Sequence, residues 1–197
     1  MLSRRYALAV LTAATMLGSG CAPAHVTRFQ TAMLSPVQSD ANEFEDERLR
    51  MRFAVYQDAI ALRITNKTKA PLKISWSECT YMDVYGQLHG VSHTNLRPTG
   101  MQSTAAFTLI PPEGRLDDSI TLFTKILPSG LYAPPEPLFD SPALDGRPVP
   151  FDEFKKGYTG KSFALLVMVR TDDAAVPYRF RFKIKDLQPQ AGPPAVN

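Results

Sequence analysis

The chain has 197 residues, of which 44% are hydrophobic and 21% charged, and its formal net charge is +3. This length suits a single domain with its own apolar core. Two of the basic residues lie at positions 4 and 5; without residues 1–20, lysine plus arginine falls from 22 to 20 against 19 acidic residues, a formal charge of +1. A nearly neutral chain lacks the positive field of a nucleic-acid-binding protein, so we expect no nucleic-acid partner.

The first 20 residues have the three parts of a secretory signal peptide. Arg4 and Arg5 form a basic start, residues 7–17 are an apolar run, and Gly18, Ser19 and Gly20 supply the small residues of a cleavage site. An apolar run of about 11 residues is too short to span a bilayer. We therefore predict that residues 1–20 are removed from the mature protein.

A cysteine, Cys21, follows this cleavage site directly. The arrangement resembles a bacterial lipoprotein signal, although Gly18 occupies the place where that signal usually has leucine. The resemblance implies that Cys21 is lipidated and becomes the mature N-terminus, anchored in a membrane. Ala22 stands where inner-membrane lipoproteins often carry aspartate, so the resemblance favours the outer membrane, with the protein facing the periplasm.

Residues 21–48 are predicted to form the lipidated N-terminus and a flexible tether. The segment has no sustained apolar period, and residues 43–47 are mostly acidic. Such a segment buries too little apolar surface to offset the entropy of ordering. A flexible tether of this length would hold the domain about 25–30 Å from the membrane.

Short strands are predicted from residue 49 onward. Apolar residues alternate with polar ones around 51–55, 60–64 and 72–76, which is the period of a half-buried strand. Residues 79–84 and 88–91 predict two further short strands, with turns at 66–71 and 85–87. A later candidate strand covers 119–126.

Residues 127–150 contain seven prolines and cannot form a central strand. A loop longer than about 12–15 residues is usually functional or disordered. We therefore propose its apolar side chains as candidates for contact with a partner protein, namely Leu131, Tyr132, Leu138, Phe139 and Leu144. The alternative is that these groups fold back and cover a sheet edge.

The clearest strand pattern lies near the end of the chain. Residues 162–169 form an almost continuous apolar run, and residues 178–185 alternate apolar with cationic side chains, including Phe180 and Phe182. Residues 188–197 are predicted to be a frayed tail.

These seven or eight strands predict an all-β domain over residues 49–187, namely an immunoglobulin-like β-sandwich with a Pro-rich loop. The segment 62–76 resembles a diffuse group of bacterial envelope proteins with immunoglobulin-like domains, which implies no particular activity.

Three groups of residues could support chemistry, and each has a simpler interpretation. Gly160-Lys161-Ser162 is similar to the end of a phosphate-binding loop, but Lys155 stands where that loop needs glycine. His89 and His93 would lie about 13 Å apart on a strand, too far to share a metal ion. Cys79 could pair with a histidine as a nucleophile, but a buried structural thiol is commoner. We predict no metal, no cofactor and no catalytic residue.

The sequence therefore predicts a lipid-anchored, non-enzymatic envelope protein that acts through contacts with a protein partner. Two alternatives stay open. One is a small-ligand or glycan-binding lipoprotein, which would need solvent-facing aromatic rings such as Trp76, Tyr81 or Tyr85. The other is an enzyme that uses Cys79 with a histidine.

Overall fold

The computed structural model describes residues 25–95, 107–122, 137–140, 149–171 and 174–191. The signal segment 1–20, Cys21, Leu131, Tyr132 and Leu144 lie outside these ranges. No helix in the described ranges is long and apolar enough to cross a membrane.

The described residues form one antiparallel sheet, one α-helix and one short 3-10 helix, Trp76–Glu78. The helix α1 is Phe151–Tyr158. The strands are β1 (His25–Ser35), β2 (Glu43–Glu45), β3 (Leu49–Tyr56), β4 (Ile60–Asn66), β5 (Leu72–Ser75), β6 (Thr80–Met82), β7 (Leu88–Asn95), β8 (Phe107–Ile110), β9 (Arg115–Leu122), β10 (Ser162–Arg170) and β11 (Ala175–Ala191).

The sheet closes into a barrel, so the prediction of an immunoglobulin-like β-sandwich is wrong. Eight strands follow the order β11-β1-β3-β4-β9-β7-β6-β10, and β10 pairs back with β11. Of the remaining strands, β2 pairs with β3, β5 pairs with β10, and β8 pairs with β5. The closing strand β11 has 17 residues, so it can pair with β10 along its first part and with β1 along its second. A sandwich would leave two separate sheets, whereas here each ring strand has a neighbour on both sides.

Strand β1 also corrects the predicted tether. Residues 25–48 are part of the barrel: β1 pairs with β11 from His25↔Ala191 to Ser35↔Arg181, and β2 pairs with β3. The register of β1 shifts between Gln30 and Thr31. Because a bulge interrupts the alternation of side chains, β1 lacks the period of two by which the other strands are recognised. The predicted tail is likewise shorter than expected, since β11 continues to Ala191.

Inward side chains fill the barrel. Phe180 and Phe182 are 1% and 0% exposed, while the arginines and lysines between and beside them are exposed, as the alternation predicted. Phe182 lies between Phe163 and Phe53, with ring centroids 5.1 and 5.2 Å away. An eight-stranded barrel is just wide enough for such side chains to occupy its interior.

One end of the barrel is closed by α1 together with residues 137–140. Phe154 and Tyr158 are the buried side chains of α1, and Tyr158 donates a hydrogen bond to the carbonyl of Asp140 at 2.7 Å. Leu138 and Phe139 are 5% and 1% exposed. Of the residues proposed for partner contact, these two therefore lie in the core.

The segment between α1 and β10 is a turn, as predicted. Gly160 has φ +87°, a backbone conformation that favours glycine, and β10 starts at Ser162. The preceding residues, Phe151–Tyr158, form the helix α1. No helix begins after Lys161, so the Gly160-Lys161-Ser162 segment does not have the loop-to-helix geometry that cradles a phosphate.

Candidate functional site

A buried polar pair lies inside the barrel. Asp118 is opposite Leu62 and His93 is opposite Ile120, so both side chains point inward with these apolar neighbours. The Nδ1 atom of His93 lies 2.9 Å from Oδ2 of Asp118, and the two residues are 2% and 0% exposed. The pair is sealed from solvent, which suits a structural role.

Trp76 packs against this pair on one side. Its ring stacks on the His93 ring with centroids 4.4 Å apart, and its Nε1 donates a hydrogen bond to Oγ1 of Thr108 at 2.8 Å. Trp76 itself is 3% exposed, so it belongs to the core.

The second histidine, His89, lies elsewhere, near the start of β7 and opposite Tyr81 of β6. Its Nε2 is 3.0 Å from Oδ2 of Asp83. The two histidines thus have different carboxylate partners. Within the described ranges, no three His, Cys, Asp or Glu side chains come close enough to hold a metal ion.

Cys79 is a buried thiol, as predicted. Its Sγ lies 3.2 Å from the carbonyl of Ser75 and accepts a hydrogen bond from the Met168 amide at 3.4 Å. Burial raises the pKa of the thiol to about 11, so it is protonated at neutral pH. A nucleophilic cysteine needs the opposite shift.

Of the three aromatic residues named for a ligand site, Trp76 and Tyr81 are buried, and Tyr85 is 67% exposed. The ammonium of Lys161 lies 4.6 Å from the centre of the Tyr85 ring.

A grid of charged residues covers the outer face of β2, β3, β4 and β9. In the first row, Glu43 is opposite Arg52, Arg52 opposite Arg63, and Arg63 opposite Asp117. In the second row the corresponding positions are taken by Glu45, Arg50, Thr65 and Arg115. The carboxylates of β2 lie at one side of the grid, and the arginines of β3 and β4 face one another at its centre.

The small side chain of Thr65 leaves a depression among these arginines. The depression has a volume of about 160 Å³ and is lined by Arg50, Arg52, Arg63, Thr65 and Arg115, which we call the arginine pocket. All four guanidinium groups are partly exposed.

Carboxylates at the rim hold the arginines in place. The distance from Nε to a carboxylate oxygen is 2.6 Å for Arg50–Glu45, 2.5 Å for Arg63–Asp117 and 3.0 Å for Arg115–Asp117. The hydrogen bond from Arg50, together with one from Lys67, lowers the pKa of Glu45 to about 2, so this carboxylate stays ionised at any ordinary pH.

Arg52 is paired less well. Its Nε lies 2.8 Å from Oε1 of Glu43, but the N–H does not point at this oxygen. Within the described part of the chain, the buried Nε–H of Arg52 has no hydrogen-bond acceptor. This Nε–H of Arg52 is therefore available to a hydrogen-bond acceptor of a bound ligand.

A larger cleft opens where β1 turns away from β3. The two strands pair only at Arg28↔Tyr56 and Phe29↔Val55, and beyond these the segment around Asn42 takes the place of β1 beside β3. The resulting space of about 430 Å³, which we call the fork cleft, has Arg28, Asp40 and Lys185 among its polar lining and Phe53 among its apolar lining.

Asn42 is the notable side chain of the fork cleft. It is 9% exposed, and its Nδ2 donates a hydrogen bond to Oγ1 of Thr31 at 2.8 Å, but its buried Oδ1 has no donor among the described residues. Exchanging the amide's O and N would leave the nitrogen unpaired instead, so one end of this amide lacks a partner in either orientation.

Neither the arginine pocket nor the fork cleft was identified from the sequence. The alternation of Arg50 with Met51 and of Arg63 with Ile64 indicates outward arginines, but only the register across four strands brings them together. The fork cleft depends on β1, which was predicted to be a tether.

Comparison with known proteins found no matching protein family, no similar curated protein and no similar solved structure.

Proposed function

We propose that this chain is a lipid-anchored, non-enzymatic protein of the bacterial cell envelope, held in the outer membrane on its periplasmic side. It acts through contacts that the outer surface of the barrel makes with an envelope partner. The anchor rests on the sequence of residues 4–21. The observation that carries the role of the outer surface is that side chains fill the interior, while the arginines of β3, β4 and β9 line a depression on the outer face.

The position of β1 changes how the anchor would act. Only residues 22–24 separate Cys21 from the first residue of β1, His25. Four extended steps span at most about 14 Å. The barrel would therefore lie directly at the membrane surface, not at the end of a 25–30 Å tether.

The state of Cys79 supports a non-enzymatic function. Its thiol is buried, its pKa is raised to about 11, and it contacts backbone groups of Ser75 and Met168. These features suit a packed structural residue rather than an activated nucleophile.

The anchor is tested by replacing Cys21 with alanine and following the protein in membrane and soluble fractions. We expect the variant to be released from the membrane or to accumulate as an uncleaved precursor. Cys79→Ala is the matched control, because it removes the other cysteine and should leave membrane attachment unchanged. A Cys21→Ala protein of mature size that stays in the membrane fraction would contradict the proposal.

A second candidate function is the binding of a small polar ligand in the fork cleft. It is favoured by the unpaired Oδ1 of Asn42, which needs a hydrogen-bond donor, and by the charges of Arg28, Asp40 and Lys185 around it. A thermal-shift screen of amino acids, short peptides and sugars tests this function. A stabilising compound should lose its effect in Asn42→Ala and keep it in Asn66→Ala, an asparagine at the other end of the barrel. A screen in which no compound stabilises the protein would contradict it.

A further inference from the structure

We propose that the arginine pocket is a binding site for a phosphate group, supplied either as a free phosphate or as the headgroup of an anionic lipid. The proposal concerns a site on the barrel wall and holds whether or not Cys21 is lipidated.

The balance of charge at the pocket favours an anion. Around the depression, Arg50, Arg52, Arg63, Arg115 and Lys67 carry five positive charges. The carboxylates that pair with them are Glu43, Glu45 and Asp117. The excess of two positive charges favours a phosphate group: a phosphate monoester carries about −1.5 to −2 at neutral pH, and the phosphodiester of a lipid headgroup carries about −1.

The arrangement of the cations favours binding at the centre of the grid. Arg52 is directly opposite Arg63 in the register, and like charges in that relation repel each other. The carboxylates of Glu43 on β2 and Asp117 on β9 lie to either side of these two arginines. An anion above Thr65 would lie between the guanidinium groups and would accept the unpaired Nε–H of Arg52.

The geometry distinguishes phosphate from carboxylate. A carboxylate is planar and is satisfied by one or two arginines, whereas the oxygens of a tetrahedral phosphate point in several directions. Guanidinium groups reach the depression from three strands, β3, β4 and β9. Arginine is also the preferred side chain for phosphate recognition, because its N–H groups form a planar fork.

The depression itself depends on Thr65. It is the one uncharged side chain in the pocket lining, and its neighbours across the strands are Arg50 and Arg115. A large side chain at this position would fill the space without removing any charge. Such a substitution therefore distinguishes binding in the depression from nonspecific binding to a cationic surface.

The test is a titration of the full-length chain, held in uncharged detergent micelles, with inorganic phosphate, followed through the arginine Nε–H signals in NMR spectra. A second series replaces the free phosphate by micelles that contain phosphatidylglycerol. We expect the signals of the pocket arginines to shift. The apparent affinity should fall by about tenfold or more in Arg52→Gln, which removes a charge-assisted hydrogen bond.

Two further variants keep the test decisive. Thr65→Tyr retains every charge and should abolish the shifts, whereas Arg181→Gln removes one exposed arginine of β11 and should bind like the wild type. Shifts with inorganic phosphate identify a free phosphate site, and shifts only with phosphatidylglycerol identify a lipid headgroup; both support the proposal. No shift in either series overturns it, as does wild-type binding by Thr65→Tyr. Melting curves confirm that each variant is folded.

Discussion

Phe29 of β1 stacks on Phe139 of the segment 137–140, with ring centroids 4.2 Å apart and an angle of 24° between the rings. The sequence placed the first residue in a tether and the second in a partner-binding loop. Together they close one end of the barrel, and Tyr158 of α1 contacts both, with its ring 6.0 Å from Phe29 and 5.6 Å from Phe139.

The Phe139→Ala variant should be strongly destabilised. Removing a fully buried phenylalanine costs about 3–5 kcal/mol, and here the ring also supports Phe29 and Tyr158. Replacing residues 130–147 by a Gly/Ser linker should have at least as large an effect, since it also removes the Leu138 carbonyl that accepts a hydrogen bond from Tyr81. Chemical unfolding measures both changes, with Phe139→Leu as a milder control. Wild-type stability in either variant would contradict this closure.

The interior position of Phe182 gives a second prediction. Phe182→Ala should lower the free energy of unfolding by about 3–5 kcal/mol, whereas Arg181→Ala, one residue away on the exposed face, should change it by less than about 0.5 kcal/mol. Urea titrations of the two variants provide the comparison. Equal effects would mean that the inner and outer faces of β11 are not as described.

The Cys79 thiol predicts a specific loss of stability in alkali. The thiol of the unfolded chain has the ordinary pKa of 9.0, while burial raises the folded value to about 11. Between these values the unfolded state gives up a proton that the folded state keeps, so stability falls as pH rises by about 1.4 kcal/mol per pH unit. Below pH 9 this contribution is constant.

Unfolding of the wild type and of Cys79→Ala should therefore be compared from pH 8 to about 11, with the difference between them reporting the thiol alone. Subtraction matters, because burial also raises the pKa of Tyr178 to about 12. The folded wild type should also resist iodoacetamide. The thiol would be shown to be exposed if the difference in unfolding free energy between the wild type and Cys79→Ala did not change with pH. Rapid labelling of Cys79 in the folded protein at neutral pH would show the same.

The His93–Asp118 pair should behave as a coupled unit. Removing either partner leaves the other buried without its hydrogen bond, so the two alanine substitutions should not be additive; we expect a coupling of about 0.5–3 kcal/mol in a double-mutant cycle. The partly exposed pair His89–Asp83 is the matched control, with an expected coupling of about 0–1 kcal/mol. Additive effects at His93 and Asp118 would argue against the pair.

Local patterns in the sequence predicted those strands whose side chains alternate strictly. That alternation predicted β3, β4 and the central part of β11, whereas β10 was predicted from an almost continuous apolar run. Closure of the barrel was not predictable in this way, since it depends on which strands pair. The strand that pairs with β11 is β1, which was not recognised in the sequence because a bulge interrupts its alternation.

The helix α1 could have been found from the sequence. Phe151, Phe154 and Tyr158 have helical spacing, Pro150 precedes them, and Asp152 and Glu153 occupy the first turn. The arginine pocket could not, because neighbouring arginines on one strand indicate only an outward face. The pocket exists through the registers β2–β3, β3–β4 and β4–β9 together.

The pairing of β1 with β11 also determines when the protein can finish folding. Arg28 is opposite Gln188, so β1 can pair with β11 only after the residues of β11 have been synthesised. At about 5–20 residues per second, synthesis of the intervening roughly 160 residues takes on the order of 10–30 s. During that time Phe29 and Met33 have no core to enter, and the chain is at its most prone to aggregate.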